Sequence, residues 1–490
     1  MKKRSVIVGA GIGGIATAIR LAVKGDHVTV MEANAYPGGK LSSWSAAGYR
    51  FDAGPSLFTL PQRVDELFEL AGKNPRDYFN YIKLPEVCRY FWEDGIRLTV
   101  PENPNDFALE AERVLQEPAE HVRTYLKDSA FKYDVLGGLF LEDSLHKVST
   151  WLSPKAFRGY WNMPKMGIFG TMDAANRQQF VQPKMVQLFN RYATYNGSDP
   201  YQTPATLTII PHLEYNIGAF FPEKGMYGIT QSLVKLAEEL GVTFRMNEKV
   251  TEICVENNRA VGVKTSTQPT GERFDRVVSN MDVTPTFRKL LPNQKHPDKI
   301  LDQPKSGSGL IFYWGVKRRF PELGLHNIFF SDDYKTEFEH QFSHKTIYSD
   351  PTLYLNITSK CKTDDAPEGC ENWFILLNAP ANNGQDWDAL IAETRQHVLA
   401  KFKRMLGVDI EPLIETEDIL DPRSIEARTS SAQGALYGNS SNNRFAAFLR
   451  HANFSSKIKD LYFVGGSVHP GGGIPLALSS ARIAVDLMTD

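Results

Sequence analysis

Residues 6–34 read VIVGAGIGGIATAIRLAVKGDHVTVMEAN: a β-branched run, a glycine loop, an apolar helical stretch to about Lys24, a Gly25-Asp26 turn and a second apolar run. This segment restricts the fold more than any other, because strand, glycine loop, helix and strand in that order make a βαβ unit of a parallel sheet. Gly9, Gly11 and Gly14 give G-x-G-x-x-G at the strand-to-helix junction. The first glycine permits the tight turn, the second lets a pyrophosphate approach the backbone, and Gly14 allows close helix–strand packing. The N–H groups and dipole of the helix start then favour the anion. Glu32, at the end of the second strand, is placed to accept hydrogen bonds from ribose hydroxyls, and an acid there argues against a 2′-phosphate and hence against NADP. The loop specifies a dinucleotide and leaves its redox ring open between nicotinamide and flavin.

The charge balance excludes one class of partner. With 55 basic against 57 acidic residues the net charge is -2, so no nucleic acid is expected. Cys88, Cys254, Cys361 and Cys370 lack CxxC spacing and no signal-like segment precedes the first strand, which points to a reducing, cytoplasmic compartment. Cys361 and Cys370 could close a short loop, but free thiols are favoured in that setting. No metal site is expected. No uninterrupted apolar run reaches the roughly 18 residues of a spanning helix, so the chain is expected not to cross a bilayer, though it can lie on one.

Pattern changes divide the chain into five segments. Residues 1–75 form the first part of a nucleotide-binding domain. In 76–220 the pattern is helical and mixed, and WLSPKAFRGYWNMPKMGIFG sets Trp151, Phe157, Tyr160, Trp161 and Phe169 among Lys155, Arg158 and Lys165. Residues 221–282 return to the nucleotide domain, with the amphipathic helix ITQSLVKLAEELG and strands about the Asn257-Asn258 turn. Residues 283–420 hold alternating strands such as SGLIFYWGV and TLYLNITS, expected in an antiparallel sheet with one covered face, and form the substrate domain. Residues 421–490 close the nucleotide domain through LYFVGG, a glycine loop and a last helix.

Directly after Glu32, Gly38, Gly39 and Lys40 make a second glycine turn. This continuation resembles the flavoproteins with two dinucleotide-binding domains, whose GG-(R/K) element contacts the diphosphate side of FAD. The stretches GYRFDAGPSLFTLP, ATYNGSDPYQTPATL, EYNIGAFFPEKGMYGITQSLVKLAEELG, VVSNMD, DAPEG and LYFVGGSVHPGGGIPLALSSA narrow the likeness, and across nearly the whole chain it resembles the bacterial carotenoid (phytoene) desaturase family. The resemblance implies an α/β (α+β overall) fold: a Rossmann-like FAD domain, a discontinuous substrate domain with an antiparallel sheet, and a helical membrane-facing subdomain. It implies non-covalent FAD held by Gly9, Gly11, Ile12, Gly13, Gly14 and Glu32. Further contacts are implied at Gly38, Gly39, Lys40, Pro55 and Ser56, at Val250 and Asn280, and at Gly465, Gly466, Gly473, Ile474 and Pro475.

In GGSVHPGGGIP, Gly471 to Gly473 bring backbone close to the isoalloxazine, and Ile474-Pro475 open the last helix, where proline fits the first turn. The positive end of that helix can stabilise negative charge on the N1–C2=O side of a reduced flavin. His469 is the titratable group of the loop: a proton acceptor, or a structural histidine bonded to backbone. Arg191, His212, Glu214 and Arg450 lie in motif-like stretches, either facing the flavin or serving as ion-pair residues; Arg191 and Glu214 join His469 as catalytic candidates. The implied reaction moves a hydride to flavin N5 and a proton from the adjacent carbon, creating a conjugated C=C, inside a long dry tunnel.

The implied substrate is a lipophilic carotenoid, so the protein is expected to sit peripherally on the inner face of the cell membrane, with Trp151 to Lys165 as its interfacial stretch or, equally, a core-packing helix. Oxygen or a quinone would take the electrons. Fold alone does not separate the branches. Phytoene desaturases end in a form like GAGTHPGAGIPG, whereas this chain has Ser467, Val468 and Leu476, which is more similar to the 1-hydroxycarotenoid 3,4-desaturase branch, acting on a substrate such as 1′-hydroxy-γ-carotene. Conversion of phytoene to lycopene or neurosporene is the runner-up. A flavin amine oxidase and a non-enzymatic prenyl-lipid carrier are the rivals from other classes.

Overall fold

The computed structural model describes residues 2–443 and 450–488. Strand Arg4–Val8, helix Ile12–Val23 and strand His27–Met31 form the βαβ unit, with Ser5 opposite Val28 and Val8 opposite Met31. Arg276–Ser279 and then Leu461–Phe463 extend this sheet on one side, and Thr243–Arg245 on the other. All pairings are parallel, and a parallel sheet must be covered on both faces. The strand period of two supplies both: Ile7 and Val30 pack under helices Ile12–Val23, Tyr227–Glu239 and Ile474–Leu487, whereas Val6, Val8 and Met31 meet Ile253, Val263 and Phe287 on the opposite side. Ile253 and Val263 belong to the hairpin Val250–Glu256/Arg259–Thr265, turned by Asn257 and Asn258 at φ 49° and 58°.

A second sheet has seven strands in the order Ile414–Leu420, Ser308–Val316, Glu371–Ala379, Leu353–Asn356, His326–Phe329, Glu86–Phe91 and Arg97–Pro101. It is antiparallel except between His326–Phe329 and Glu86–Phe91. Leu310, Phe312 and Trp314 alternate onto the face covered by helix Trp387–Leu406, where they meet Trp373 and Phe402. Ile311 and its cross-strand partner Leu376 point the other way, into a cavity.

Residues 86–101 depart from the helical and mixed reading of that part of the sequence: they are the last two strands of this sheet. The charges of Glu86, Arg89 and Arg97 interrupt the apolar alternation, and Arg89 Nε donates to Glu86 Oε1 across 2.7 Å. Over the cavity face lie helices Ala119–Glu142, Pro154–Asn162, Met172–Gln179 and Pro183–Asn190, followed by the tight 3₁₀ segment Arg191–Asn196 and the wider π-helical segment His212–Ile217. Among the described residues no helix is long and apolar enough to cross a membrane. The four cysteines are unpaired.

Candidate active site

A cavity of about 1100 Å³ begins at Gly9 and Glu32, passes between the second sheet and the helices above it, and reaches Tyr160, Met163 and Ile168. It exceeds the roughly 300–1,000 Å³ of a pocket for one small ligand.

At its first end the walls are mostly backbone. Gly9 N–H donates to Met31 O (2.8 Å) and turns the chain at φ 96° into helix Ile12–Val23. A Cβ on Gly14 would stand 2.3 Å from Gly9 O, so only glycine lets the helix sit this close to the turn. Gly14 is thereby a packing residue: unlike Gly9, Gly11, Ile12 and Gly13, it does not line the cavity. Gly11 caps the helix and no side chain bonds its first-turn amides. Asn280 completes the turn from the neighbouring strand, its Nδ2 donating to Gly9 O (3.4 Å), and it packs tightly against Gly11, Gly13 and Gly465.

Glu32 is held by Ala10 N–H on Oε2 (2.7 Å) and by the backbone and side-chain N–H groups of Asn34 on Oε1 (2.9 Å each). A carboxylate offers about four acceptor positions, so one is left for a ligand. Gly38, Gly39, Pro55, Ser56 and Val250 line the same end. Lys40 does too, but its ammonium donates to the carbonyls of Ala435 (3.2 Å) and Leu436 (2.9 Å) instead of standing free for a diphosphate. Burial lowers its pKa to about 8, opposed by the charge of Asp282.

The chain returns to this cavity near its end. Gly465, Gly466, Gly473, Ile474 and Pro475 line it, and helix Ile474–Leu487 starts there with no side-chain cap. Gly473, at φ 105°, has open space where a Cβ would stand. Two uncapped helix starts, a carboxylate with an unused acceptor position and glycine-lined walls fit a dinucleotide: the first helix would offer N–H groups to a diphosphate, Glu32 would accept from a ribose, and the second would offer positive potential to a ring.

His469 is buried, and its Nε2–H donates to the backbone carbonyl of Asp143 (2.9 Å). Burial pushes its pKa down to about 4, which leaves it neutral near pH 7 and a weak base; the backbone-bonded role fits this geometry better than that of proton acceptor. Arg450 lines the cavity but donates to the carbonyls of Tyr437 (2.8 Å) and Gly466 (3.4 Å), and so ties the loop together. His212 faces Tyr133, at 4.7 Å between ring centroids, and accepts from Asn216 Nδ2 (2.9 Å).

At the other end the walls are side chains. Arg191 Nη2 donates to Tyr90 Oη (3.0 Å) and Nη1 to Tyr195 Oη (3.1 Å), while Tyr195 donates to Glu214 Oε2 (2.8 Å). Glu214 Oε1 lies 3.7 Å from Arg191 Nη2, and both residues are buried. The structure therefore brings two of the catalytic candidates together as an ion pair in the cavity wall. The sequence reading overlooked Tyr354, His326 and Asn356, and it assigned Ser56 to the cofactor alone. Ser56 Oγ donates to Tyr354 Oη (2.8 Å), which bonds His326 Nδ1 (2.8 Å), and Asn356 Nδ2 also reaches that nitrogen (3.2 Å). Tyr195 lay within a quoted motif; His326, a lone histidine at the start of an apolar strand, carried no signal.

The family described as flavin containing amine oxidoreductase matches residues 12–489. The chain is 50% identical over 486 residues to the 1-hydroxycarotenoid 3,4-desaturase of Flavobacterium sp. (strain P99-3), covering 99% of both chains. It is 35% identical over 505 residues to the 4,4′-diapolycopene oxygenase of Methylomonas sp., covering 99% of this chain and 97% of that one. An oxidoreductase from Methanosarcina mazei superposes with TM-score 0.66 at 15% identity, covering 99% and 100% of the two chains, a likeness of fold.

Proposed function

The chain belongs to the flavin-containing amine oxidoreductase family, and on that premise we propose that it is an FAD-dependent carotenoid desaturase that introduces a C=C bond at positions 3,4 of a 1-hydroxycarotenoid. The observation that carries this reading is the form of the cavity. A glycine-built dinucleotide cradle opens without a break into a channel walled by Ile311, Phe374, Leu376, Ile210 and Leu213. The full-length identity to a relative named for that reaction supports the choice of bond.

FAD, when bound, supplies the two-electron acceptor for a CH–CH pair. The first-turn amides of helix Ile12–Val23 would hold its diphosphate and Glu32 its ribose, and the start of helix Ile474–Leu487 would offer positive potential to its ring. The apolar channel walls exclude water and fix which carbon pair reaches the ring. His469 keeps its proton on Nε2, against Asp143 O, and orders the loop that carries Gly473.

The substrate reaches the channel from a membrane. Val148, Leu152, Phe157, Trp161 and Phe169 are exposed, Trp161 at 89%, beside the cavity-lining Tyr160 and Met163. These exposed apolar residues, two of them on helix Pro154–Asn162 and the rest on the segments flanking it, suit an interfacial position. Two of the three basic residues of this stretch are ion-paired, Lys155 with Asp143 (3.0 Å) and Arg158 with Asp134, and Lys165 stands over the Phe131 ring, so attachment is driven more by apolar area than by charge. In this proposal the protein works on the cytoplasmic face of the membrane, with oxygen or a quinone taking the electrons.

The test is to incubate FAD-loaded protein with liposomes carrying phytoene, lycopene or 1′-hydroxy-γ-carotene while following polyene absorbance. A red shift with the hydroxylated substrate is expected, together with co-flotation of the protein on neutral liposomes. A shift with phytoene instead would move the assignment to phytoene desaturation, and no shift with any of the three would overturn the desaturase reading.

A further inference from the structure

The buried polar groups at the channel end form more than an ion pair. Among the described residues, Arg191 Nε, His326 Nε2 and Tyr334 Oη are buried without a hydrogen-bond partner, and all three residues line the cavity. Buried polar atoms in folded proteins are rarely left unpaired, and those that are call for an explanation.

The hydrogen bonds determine what these atoms offer. Asn356 Nδ2 can only donate, so His326 Nδ1 is an acceptor; it also accepts the hydrogen bond of the Tyr354 hydroxyl, whose oxygen accepts from Ser56. The imidazole proton therefore sits on Nε2. Burial, reinforced by the charge of Arg191, keeps the ring neutral with a pKa of about 3. Arg191 Nε is likewise donor-only. The cluster thus presents unfilled donors, joined by a phenol, and it awaits an acceptor oxygen. Because Glu214 already stands 3.7 Å from the guanidinium, the cluster does not call for an anion.

We propose that Arg191, His326 and Tyr334 bind the hydroxyl oxygen of the substrate and make the enzyme selective for an oxygenated over a hydrocarbon chain end. The inference rests on the desaturase reading and adds to it the group that recognises the substrate. In a substrate hydroxylated at C1 and oxidised at C3–C4, the oxygen stands two carbon–carbon bonds from the reacting pair, so its site must lie beside the cofactor cradle. The chain Ser56–Tyr354–His326 makes that link: Ser56 lies two residues after Gly54, whose α-carbon packs so tightly on Lys40 that a Cβ would meet its carbonyl oxygen at 1.8 Å. A hydrocarbon end would leave the donors unpaired, and sites built to hydrogen-bond a substrate hydroxyl reject the analogue lacking it by as much as about 10⁴-fold.

The experiment measures binding and turnover of 1′-hydroxy-γ-carotene and γ-carotene by FAD-loaded wild-type protein, by His326→Phe and by Tyr334→Phe, using the carotenoid absorption shift for binding. The wild type should favour the hydroxylated compound by about 100-fold or more, and each variant should lower that ratio at least about tenfold. Tyr334→Phe removes a single oxygen atom, so it reports even where His326→Phe fails to fold. Equal binding of the two carotenoids by the wild type, or a ratio unmoved in the folded variants, would overturn the oxygen site. Selective binding without turnover would uphold the site and overturn the desaturase reading instead.

Discussion

The two ends of the cavity are built from different materials. The cofactor end is backbone: glycine turns, two uncapped helix starts and one acid whose oxygens are steered by Ala10 and Asn34. The substrate end is side chain: an arginine, a glutamate, a histidine and several tyrosines, delivered by elements as distant as Glu86–Phe91, Arg191–Asn196, His212–Ile217 and Leu353–Asn356. Backbone donors are present whatever the neighbouring side chains do, so damage at the first end should fall on the ligand. Side chains buried for their mutual contacts hold one another, so damage at the second should fall on the fold.

Arg191→Leu probes this contrast most strongly. It leaves the buried carboxylate of Glu214 without its partner and should cost about 3–5 kcal/mol of stability. Urea unfolding would measure it, and adding Glu214→Gln should recover part of the loss. A loss below about 1 kcal/mol would erase the difference between the ends.

Acid is the next probe. His469 is neutral in the folded protein, with its pKa pushed down to about 4, and takes up a proton on unfolding below its ordinary value of about 6.5. Each such ring should leave stability complete above pH 6.5 and remove about 1.4 kcal/mol per pH unit below it until its folded pKa is reached. His326, held to about 3, therefore doubles the fall that His469 causes between pH 6.5 and 4 and continues it to about 3. Denaturation midpoints in a pH series would show the slope, and a flat profile from pH 6.5 to 4 would contradict the burial of both rings.

Glu32→Ala should have the smallest effect on the fold and a clear effect on the ligand. Loss of the ribose acceptor should weaken FAD binding by about 1–3 kcal/mol, read by dialysis against free FAD, while the hydrogen bonds lost from Ala10 and Asn34 should lower the melting of the flavin-free protein by less than Arg191→Leu does. A greater loss of stability than that of Arg191→Leu would reverse the contrast.

The same contrast explains what the sequence made legible. Backbone geometry leaves a written trace, since a turn that must be tight or a helix that must touch it requires glycine at fixed intervals; Gly9, Gly11 and Gly14 could be assigned before any coordinates. The period-two pattern of Ser308–Val316 likewise announced its sheet. Side-chain convergence leaves no such trace. His326 meets Asn356 through sheet register and Tyr354 across a strand pair, and Arg191 finds Tyr90 through a strand whose charges hid it within a segment read as helical. Lys40 shows the limit from the other direction: its place in a glycine turn suggested a diphosphate contact, while the fold gives its ammonium two carbonyls almost 400 residues away in the chain.

That last tether bears on how the protein is made. The cavity opens at Gly9 but lacks a wall until Ala435, Leu436 and the turn from Gly465 to Pro475 have arrived. A ribosome extends the chain from its amino end, and early segments fold as they emerge. The glycine loop that first grips the nucleotide must then wait through most of translation for the residues that enclose the ring. The enclosure is therefore complete only once the last helix is in place, and a chain released before it would lack both that wall and the cover of helix Ile12–Val23.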